Sequence, residues 1–186
     1  NFARAGAVVT AVDLSSESLA LAKRRAQIFS LEDRITFYQA NAEELSAIVP
    51  AEPYDLVYSF GVIHHTPHPE NVVKQIQQHY IQSGSTIKIM VYHRYSWKAL
   101  WIVLTEGHGN FKQLDNFVAQ NSEAQTGCPV TYTYSQASVQ KLLNGFHIQR
   151  IGVDHIFPYY IPDYVQYRYL KEWYFRYLPH PIFRWL

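Results

Sequence analysis

Tyr54-Asp55-Leu56-Val57-Tyr58-Ser59-Phe60-Gly61-Val62-Ile63-His64-His65 passes from an apolar, aromatic run into a glycine and a histidine pair, and that order decides the class of fold. Asp55 to Phe60 fits a short buried strand. Gly61 punctuates it, Pro67 and Pro69 follow, and the spacing beyond them predicts a helix from about Glu70 to Ile81. Toward the N-terminus the same alternation is met twice. Ala7 to Val12 is a β-branched run ending at Asp13, after which Ser15 or Ser16 caps a helix reaching about Ile28. Ile35 to Gln39 is a further strand, followed by the turn Asn41-Ala42-Glu43-Glu44-Leu45. Toward the C-terminus, Thr86 to Tyr92 is the strongest strand signal in the chain, and a helix is expected from Ser96 to Leu104. Strands alternating with helices at this spacing predict an α/β domain with a mostly parallel sheet covered by helices on both faces.

Phe2 to Gly6 has the form of the last turn of a helix closed by a glycine. Between Glu106 and Thr133 the periodicity fades into Gly, Asn, Gln and Pro, a long connection of the kind that serves as a substrate lid. A helix is expected from Ser135 to Leu143, ended by Gly145, and then a strand from Phe146 to Val153. Phe157 to Trp185 is rich in aromatic residues; its interleaved Asp163, Arg168, Lys171, Glu172 and Arg176 suit a helix burying rings on its own domain better than one lying on a membrane.

Composition bounds the function. Lys+Arg number 16 against 15 Asp+Glu, for a net charge of +1, and 48% of the 186 residues are hydrophobic. Such a balance is globular and carries no basic footprint for nucleic acid. Lys23-Arg24-Arg25, a short basic run, falls on a predicted amphipathic helix and reads as a solvated face. Cys128 is the single cysteine, so no internal disulfide can form and a reducing, cytoplasmic setting is expected. No apolar stretch approaches the roughly 20 residues of a membrane span.

In an open α/β sheet, ligands bind outside the carboxyl ends of the strands, and Asp13 stands at such an end. A carboxylate there can accept both hydroxyl hydrogens of a ribose. Taken alone, it could equally be an acid placed near a helix N-terminus by the helix dipole.

It does not stand alone. Val12-Asp13-Leu14-Ser15, then Asn41-Ala42-Glu43-Glu44-Leu45, then Tyr54 through His65 resemble the ordered motifs of small-molecule class I methyltransferases, of the type 11-like group, which use S-adenosylmethionine. The resemblance runs from about Ala7 to Tyr92. It implies a Rossmann-like methyltransferase sheet, incomplete in this chain; the aromatic, moderately polar lid with no basic groove favours a small-molecule or lipid-like acceptor, and the length of 186 residues suits a single domain over residues 1–186. Residues 1–92 would form its cofactor-binding part, and 93–186 its acceptor-binding, lid and C-terminal part. By the same resemblance Asp13 would hold the ribose hydroxyls, Leu14 would lie against the adenine face, and Asn41 with Ala42 would run along the adenine edge. Asn41 departs from the commoner Asp, offering its carbonyl oxygen without the charge. Phe60, Gly61 and Val62 would follow the methionine portion through backbone groups, Gly61 because a side chain would obstruct close approach.

His64 and His65 open the loop where cofactor and acceptor should meet, and either is a candidate base for an acceptor that must lose a proton. A packing and capping role under the following helix is the competing reading for both. A metal site built from His64, His65, His68 and His93 is disfavoured, because adjacent loop histidines lack the i, i+4 spacing of a helical zinc pair. Tyr92, Arg94 and Tyr95 end the Thr86–Tyr92 strand and are candidates for the acceptor pocket, Arg94 for a carboxylate or phosphate and the tyrosines for an aromatic ring.

The family's glycine-rich first turn and its central strand are missing ahead of Val8, and no final edge strand is evident near Leu186. The expectation is a chain truncated at both ends, with a sheet lacking its first strand and therefore two rows of backbone groups without their neighbour. A silent binding or scaffold domain and, further off, a nicotinamide-dependent oxidoreductase are the alternatives.

Overall fold

The computed structural model describes residues 1–120, 130–153, 163, 168–171 and 173–177. They fall into two compact units, one comprising residues 1–91 with Val130 and Thr131, the other beginning at Tyr92 and including the remaining described residues.

The first unit is the predicted alternation. A short turn, Ala3–Ala5, is closed by Gly6 at φ 98°, whose amide donates to the Ala3 carbonyl. Then come β1 (Val9–Asp13), α1 (Ser16–Ile28), β2 (Ile35–Gln39), a 3-10 segment (Ala42–Ala47), β3 (Leu56–Phe60), a 3-10 turn (Ile63–His65), α2 (Pro69–His79) and β4 (Thr86–Met90). β1 pairs with β2 in parallel, Val9 opposite Ile35 and Asp13 opposite Gln39. β3 pairs with β4 likewise, from Leu56 opposite Thr86 to Phe60 opposite Met90. α1 packs on β1 and β2, which is the parallel crossover unit that such strands require. The elements together are α/β and Rossmann-like.

Among the described residues the two ladders share no strand, so β1 and β3 each keep one backbone edge unpaired. Side chains link the two pairs. The Tyr54 hydroxyl lies 2.7 Å from Glu52 Oε1 and 3.0 Å from Thr10 Oγ1 on β1. With one proton to give, it donates to the carboxylate and accepts from the threonine. Phe2 meets Tyr58 of β3 edge to face, ring centroids 5.2 Å apart. Behind the strands, Ala40, Val49 and Tyr80 form a buried cluster with Tyr38, Leu45, Tyr54 and Val57 against it. The Tyr80 hydroxyl donates to the Val49 carbonyl at 3.0 Å, which is why a tyrosine is tolerated there. α2 buries Val72, Val73 and Ile76, the i, i+1 and i+4 positions of one face.

In the second unit α3 (Trp97–Thr105) and α4 (Leu114–Gln120) share a core of Ala99, Ile102, Val103, Leu114 and Val118, with Tyr92 and Phe117 against it. Gly107 turns the chain between them. A Cβ there would stand 2.8 Å from the Phe117 ring and 2.9 Å from the Val103 carbonyl, so no side chain fits. α5 (Gln136–Leu142) opens on a reciprocal cap between Ser135 and Ser138, and α6 is Trp173–Tyr177.

Two expectations are corrected. The segment after Glu106 is not featureless: a 3-10 turn (Phe111–Gln113) leads into α4, whose buried Leu114 and Val118 are one helical turn apart. Phe146 to Val153 is not a strand; Phe146, Ile148 and Ile151 are half-buried, but among the described residues no partner strand pairs with them, and the Phe146 amide instead closes a turn onto the Leu143 carbonyl. Cys128, the central part of the expected lid (residues 121–129) and most of the run from Phe157 to Trp185 lie outside the described residues.

Candidate functional site

The first unit gathers its candidates at the carboxyl ends of its strands. β1 ends at Asp13, and the chain turns at once into α1. Asp13 Oδ1 accepts the Ser15 amide at 2.8 Å, and the Ser15 side chain in turn accepts the Ser18 amide as the N-cap of α1. The carboxylate is exposed, and among the described residues its other oxygen accepts no hydrogen bond. Leu14 follows with its side chain 67% exposed. Its carbonyl accepts from Gln39 Nε2 at 3.1 Å, which fixes the backbone while leaving the apolar side chain in solvent.

β2 ends one residue before Ala40, whose amide donates to the Asp13 carbonyl at 3.2 Å, so the two strand ends are held side by side. Asn41 caps the 3-10 segment, its Oδ1 accepting the Glu43 amide at 3.0 Å. That bond occupies the very oxygen the resemblance offers to an adenine amino group, although a carbonyl oxygen has a second lone pair. Ala42 is half-buried beside it. Glu43 turns the other way and accepts the His68 amide at 2.9 Å, tying this segment to the start of α2.

β3 ends at an exposed Phe60, and Gly61 adopts φ +75°, its amide donating to the Met90 carbonyl at 3.2 Å. A Cβ on Gly61 would meet only the Met90 methyl, at an ordinary 3.7 Å. Within the protein, backbone conformation rather than crowding demands glycine here. Val62, half-exposed, leads into the Ile63–His65 turn. His64 is fully buried, and burial, reinforced by the adjoining His65, pushes its pKa down to about 3. It is a neutral ring at physiological pH. His65 is half-buried, its ring tilted against that of His64 with centroids 4.0 Å apart, and its Nδ1 lies 3.1 Å from the hydroxyl of the buried Thr131.

The second unit carries Tyr92, Arg94 and Tyr95. Tyr92 packs on the α3–α4 core, with Lys98 Nζ 5.6 Å from its ring centroid, and its carbonyl accepts the Tyr134 amide at 2.8 Å. Arg94 faces Asp115 at 3.4 Å. Asp115 also takes the amide and hydroxyl of Thr133, so the guanidinium already has a structural counter-ion. Tyr95 is exposed and meets the ring of His93 edge to face at 5.8 Å. His93 itself is partly buried, and burial lowers its pKa.

Sequence reading missed Thr131 and Asp115, which contact His65 and Arg94, and the side chains of Gln39 and Glu43, which tie the C-terminal end of β2 to Leu14 and the segment after it to the start of α2. The alternation Thr131-Tyr132-Thr133-Tyr134 was the available signal for an ordered extended segment; Tyr134 in fact forms a parallel bridge with His93. Among the described residues no three His, Cys, Asp or Glu side chains cluster as metal ligands, and no helix is long and apolar enough to cross a membrane.

Parallel strands alternating with helices define an α/β, Rossmann-like domain. Residues 1–87 match the family described as "Methyltransferase domain", and the resemblance read from Asp13, Asn41 and the Gly61–His65 segment is met over that stretch. Among curated proteins, the chain is 31% identical over 86 residues to an uncharacterized protein from Synechococcus sp., a match covering 46% of this chain and 20% of that protein. Among solved structures it is similar to the [4+2]-cyclase SpnF, at 19% identity and a TM-score of 0.43 over 47% of this chain and 31% of the other. It is also similar to a possible exported protein from Bordetella parapertussis, at 18% identity and a TM-score of 0.48 over 72% and 44%. The match thus spans about one fifth of the length of the curated relative.

Proposed function

We propose that this chain belongs to an enzyme that transfers the methyl group of S-adenosylmethionine to a small-molecule or lipid-like acceptor in the cytoplasm. The observation that carries the reading is Asp13: an exposed carboxylate at the carboxyl end of a parallel strand, anchored through one oxygen and, among the described residues, open at the other. It lies within the stretch that matches the methyltransferase family. Its surroundings fit the cofactor's adenosine end. Asp13 would accept from the ribose hydroxyls, the exposed Leu14 would cover a purine face, and Asn41 and Ala42 would border its edge. Phe60, Gly61 and Val62 would line the methionine portion, with the turn at Gly61 directing backbone toward it.

When bound, the cofactor supplies a sulfonium-activated methyl group. The chain's own work is to hold the acceptor in line and to take its proton where the acceptor is a hydroxyl or amine. His65 suits the second task better than His64, because a buried ring with a pKa near 3 cannot hold a proton at neutral pH. Packing is therefore the role we assign to His64. In the acceptor segment the exposed Tyr95 is the group best disposed to meet a substrate, whereas Arg94 would have to share Asp115.

The test is calorimetric binding of S-adenosylhomocysteine and of the acceptor to the full-length protein and to Asp13→Ala. Loss of a charge-assisted hydrogen bond predicts affinity for S-adenosylhomocysteine reduced about 10- to 100-fold, with acceptor affinity unchanged. Equal loss of both affinities would sink the ribose assignment.

A further inference from the structure

The peptide unit between Leu14 and Ser15, just beyond the end of β1, is held at both of its polar groups. Its N–H donates to Asp13 Oδ1 at 2.8 Å, and its carbonyl accepts from Gln39 Nε2 at 3.1 Å. The second bond has a fixed sense, because a backbone carbonyl only accepts and must face the NH2 end of the carboxamide. Gln39 is the last residue of β2 and lies opposite Asp13 in the ladder, so its side chain reaches one residue past its own partner. Packing gives this turn little hold: Asp13, Leu14 and Gln39 are all exposed, Leu14 to 67%. The neighbouring bond, from the Ala40 amide to the Asp13 carbonyl at 3.2 Å, is made by backbone alone and does not depend on which side chain stands at 39.

A peptide unit is planar, so its C=O and N–H swing together. The carboxamide that grips the Leu14 carbonyl therefore also aims the Ser15 N–H, on the far side of the same plane, at the Asp13 carboxylate. We propose that Gln39 is a positioning residue for Asp13: it fixes the peptide plane whose N–H seats Oδ1, and so keeps the other carboxylate oxygen in one place. Without it, water solvates the Leu14 carbonyl equally well in other orientations, and the plane is free to turn. The consequence for cofactor binding rests on the reading of Asp13 as the ribose ligand; the seating of Asp13 does not.

Gln39→Met keeps the length of the side chain and removes the donor without adding charge. In the cofactor-free, full-length protein we expect the Ser15 amide to exchange several-fold faster in this variant, while the Ala40 amide keeps its rate. Calorimetry should show S-adenosylhomocysteine bound about 3- to 10-fold more weakly. In an Asp13→Ala background the same substitution should cost nothing further, because no carboxylate is left to seat. A full additive loss in that background overturns the proposal, as does a native Ser15 exchange rate in Gln39→Met. Native affinity in Gln39→Met where Asp13→Ala is impaired overturns it too. A Ser15 amide that exchanges in the native protein as fast as in an unstructured chain does the same, even if the methionine variant fails to fold. If Ser15 exchange rises in Gln39→Met but Asp13→Ala binds S-adenosylhomocysteine as tightly as the native protein, the positioning role holds and the ribose assignment fails.

Discussion

The carboxyl ends of β1 and β3 lie in the same compact unit, each at the end of a strand that among the described residues pairs on one side only, yet they are finished in opposite ways. At β1 the polar group, Asp13, is exposed and has one oxygen uncommitted among the described residues. At β3 the polar groups are drawn inward: His64 is fully buried and neutral, and His65 is braced against it and Thr131. A group that must exchange water for a ligand gains from exposure, because its desolvation then occurs only on binding. A group that must keep one orientation gains from burial of its supports.

Acid should expose the closed end first. His64 has a folded-state pKa of about 3 against an ordinary 6.5, so the unfolded chain binds the extra proton between those values. The stability it contributes is complete above pH 6.5 and is lost as pH falls toward 3, by about 5 kcal/mol at the full shift. Urea melts from pH 7 to 4 should show that decline, and His64→Leu should flatten it. An unchanged slope in the variant would mean that other groups govern acid sensitivity.

Next in size is the hinge between strand and histidines. Gly61→Ala places a Cβ at φ +75°, a strain of about 1–2 kcal/mol without any clash, and should lower the denaturation midpoint while leaving the urea m-value alone. At the open end, Asp13→Asn should cost about 10-fold in S-adenosylhomocysteine affinity and change the melting temperature little, since an amide oxygen can still accept from Ser15. A large fall in stability instead would make Asp13 structural and erase the contrast. The smallest effect belongs to Ser15→Ala, which removes the cap of α1 and should destabilise by about 1 kcal/mol in thermal melts followed by circular dichroism.

Legibility followed local chemistry. Val9–Asp13, Ile35–Gln39 and Thr86–Met90 were readable because β-branched runs bounded by turn residues admit few other structures, and α1 because Ser15 announces it. Asp13 was readable as a candidate from its place after such a run. Leu114 and Val118 were not, because a seven-residue helix offers too few repeats for its period to emerge from the glycines and amides around it. Phe146–Val153 has the composition of a strand, but composition cannot supply the neighbour a strand needs. The burial of His64 and the Thr131 contact were beyond reach for a related reason: a pairing 66 residues apart leaves no trace in spacing.

The edges of β1 and β3 that stay unpaired among the described residues have a consequence for isotope exchange. In a parallel ladder, successive amides point alternately to the two flanks of the strand, so a strand paired on one flank protects only every second N–H. Deuterium uptake along Val9–Asp13 and Leu56–Phe60 should therefore alternate fast and slow, whereas any extended segment that seats itself on either edge would slow the fast set and leave the slow one nearly unchanged. The exchange pattern thus works as a residue-by-residue gauge of whether those edges are covered.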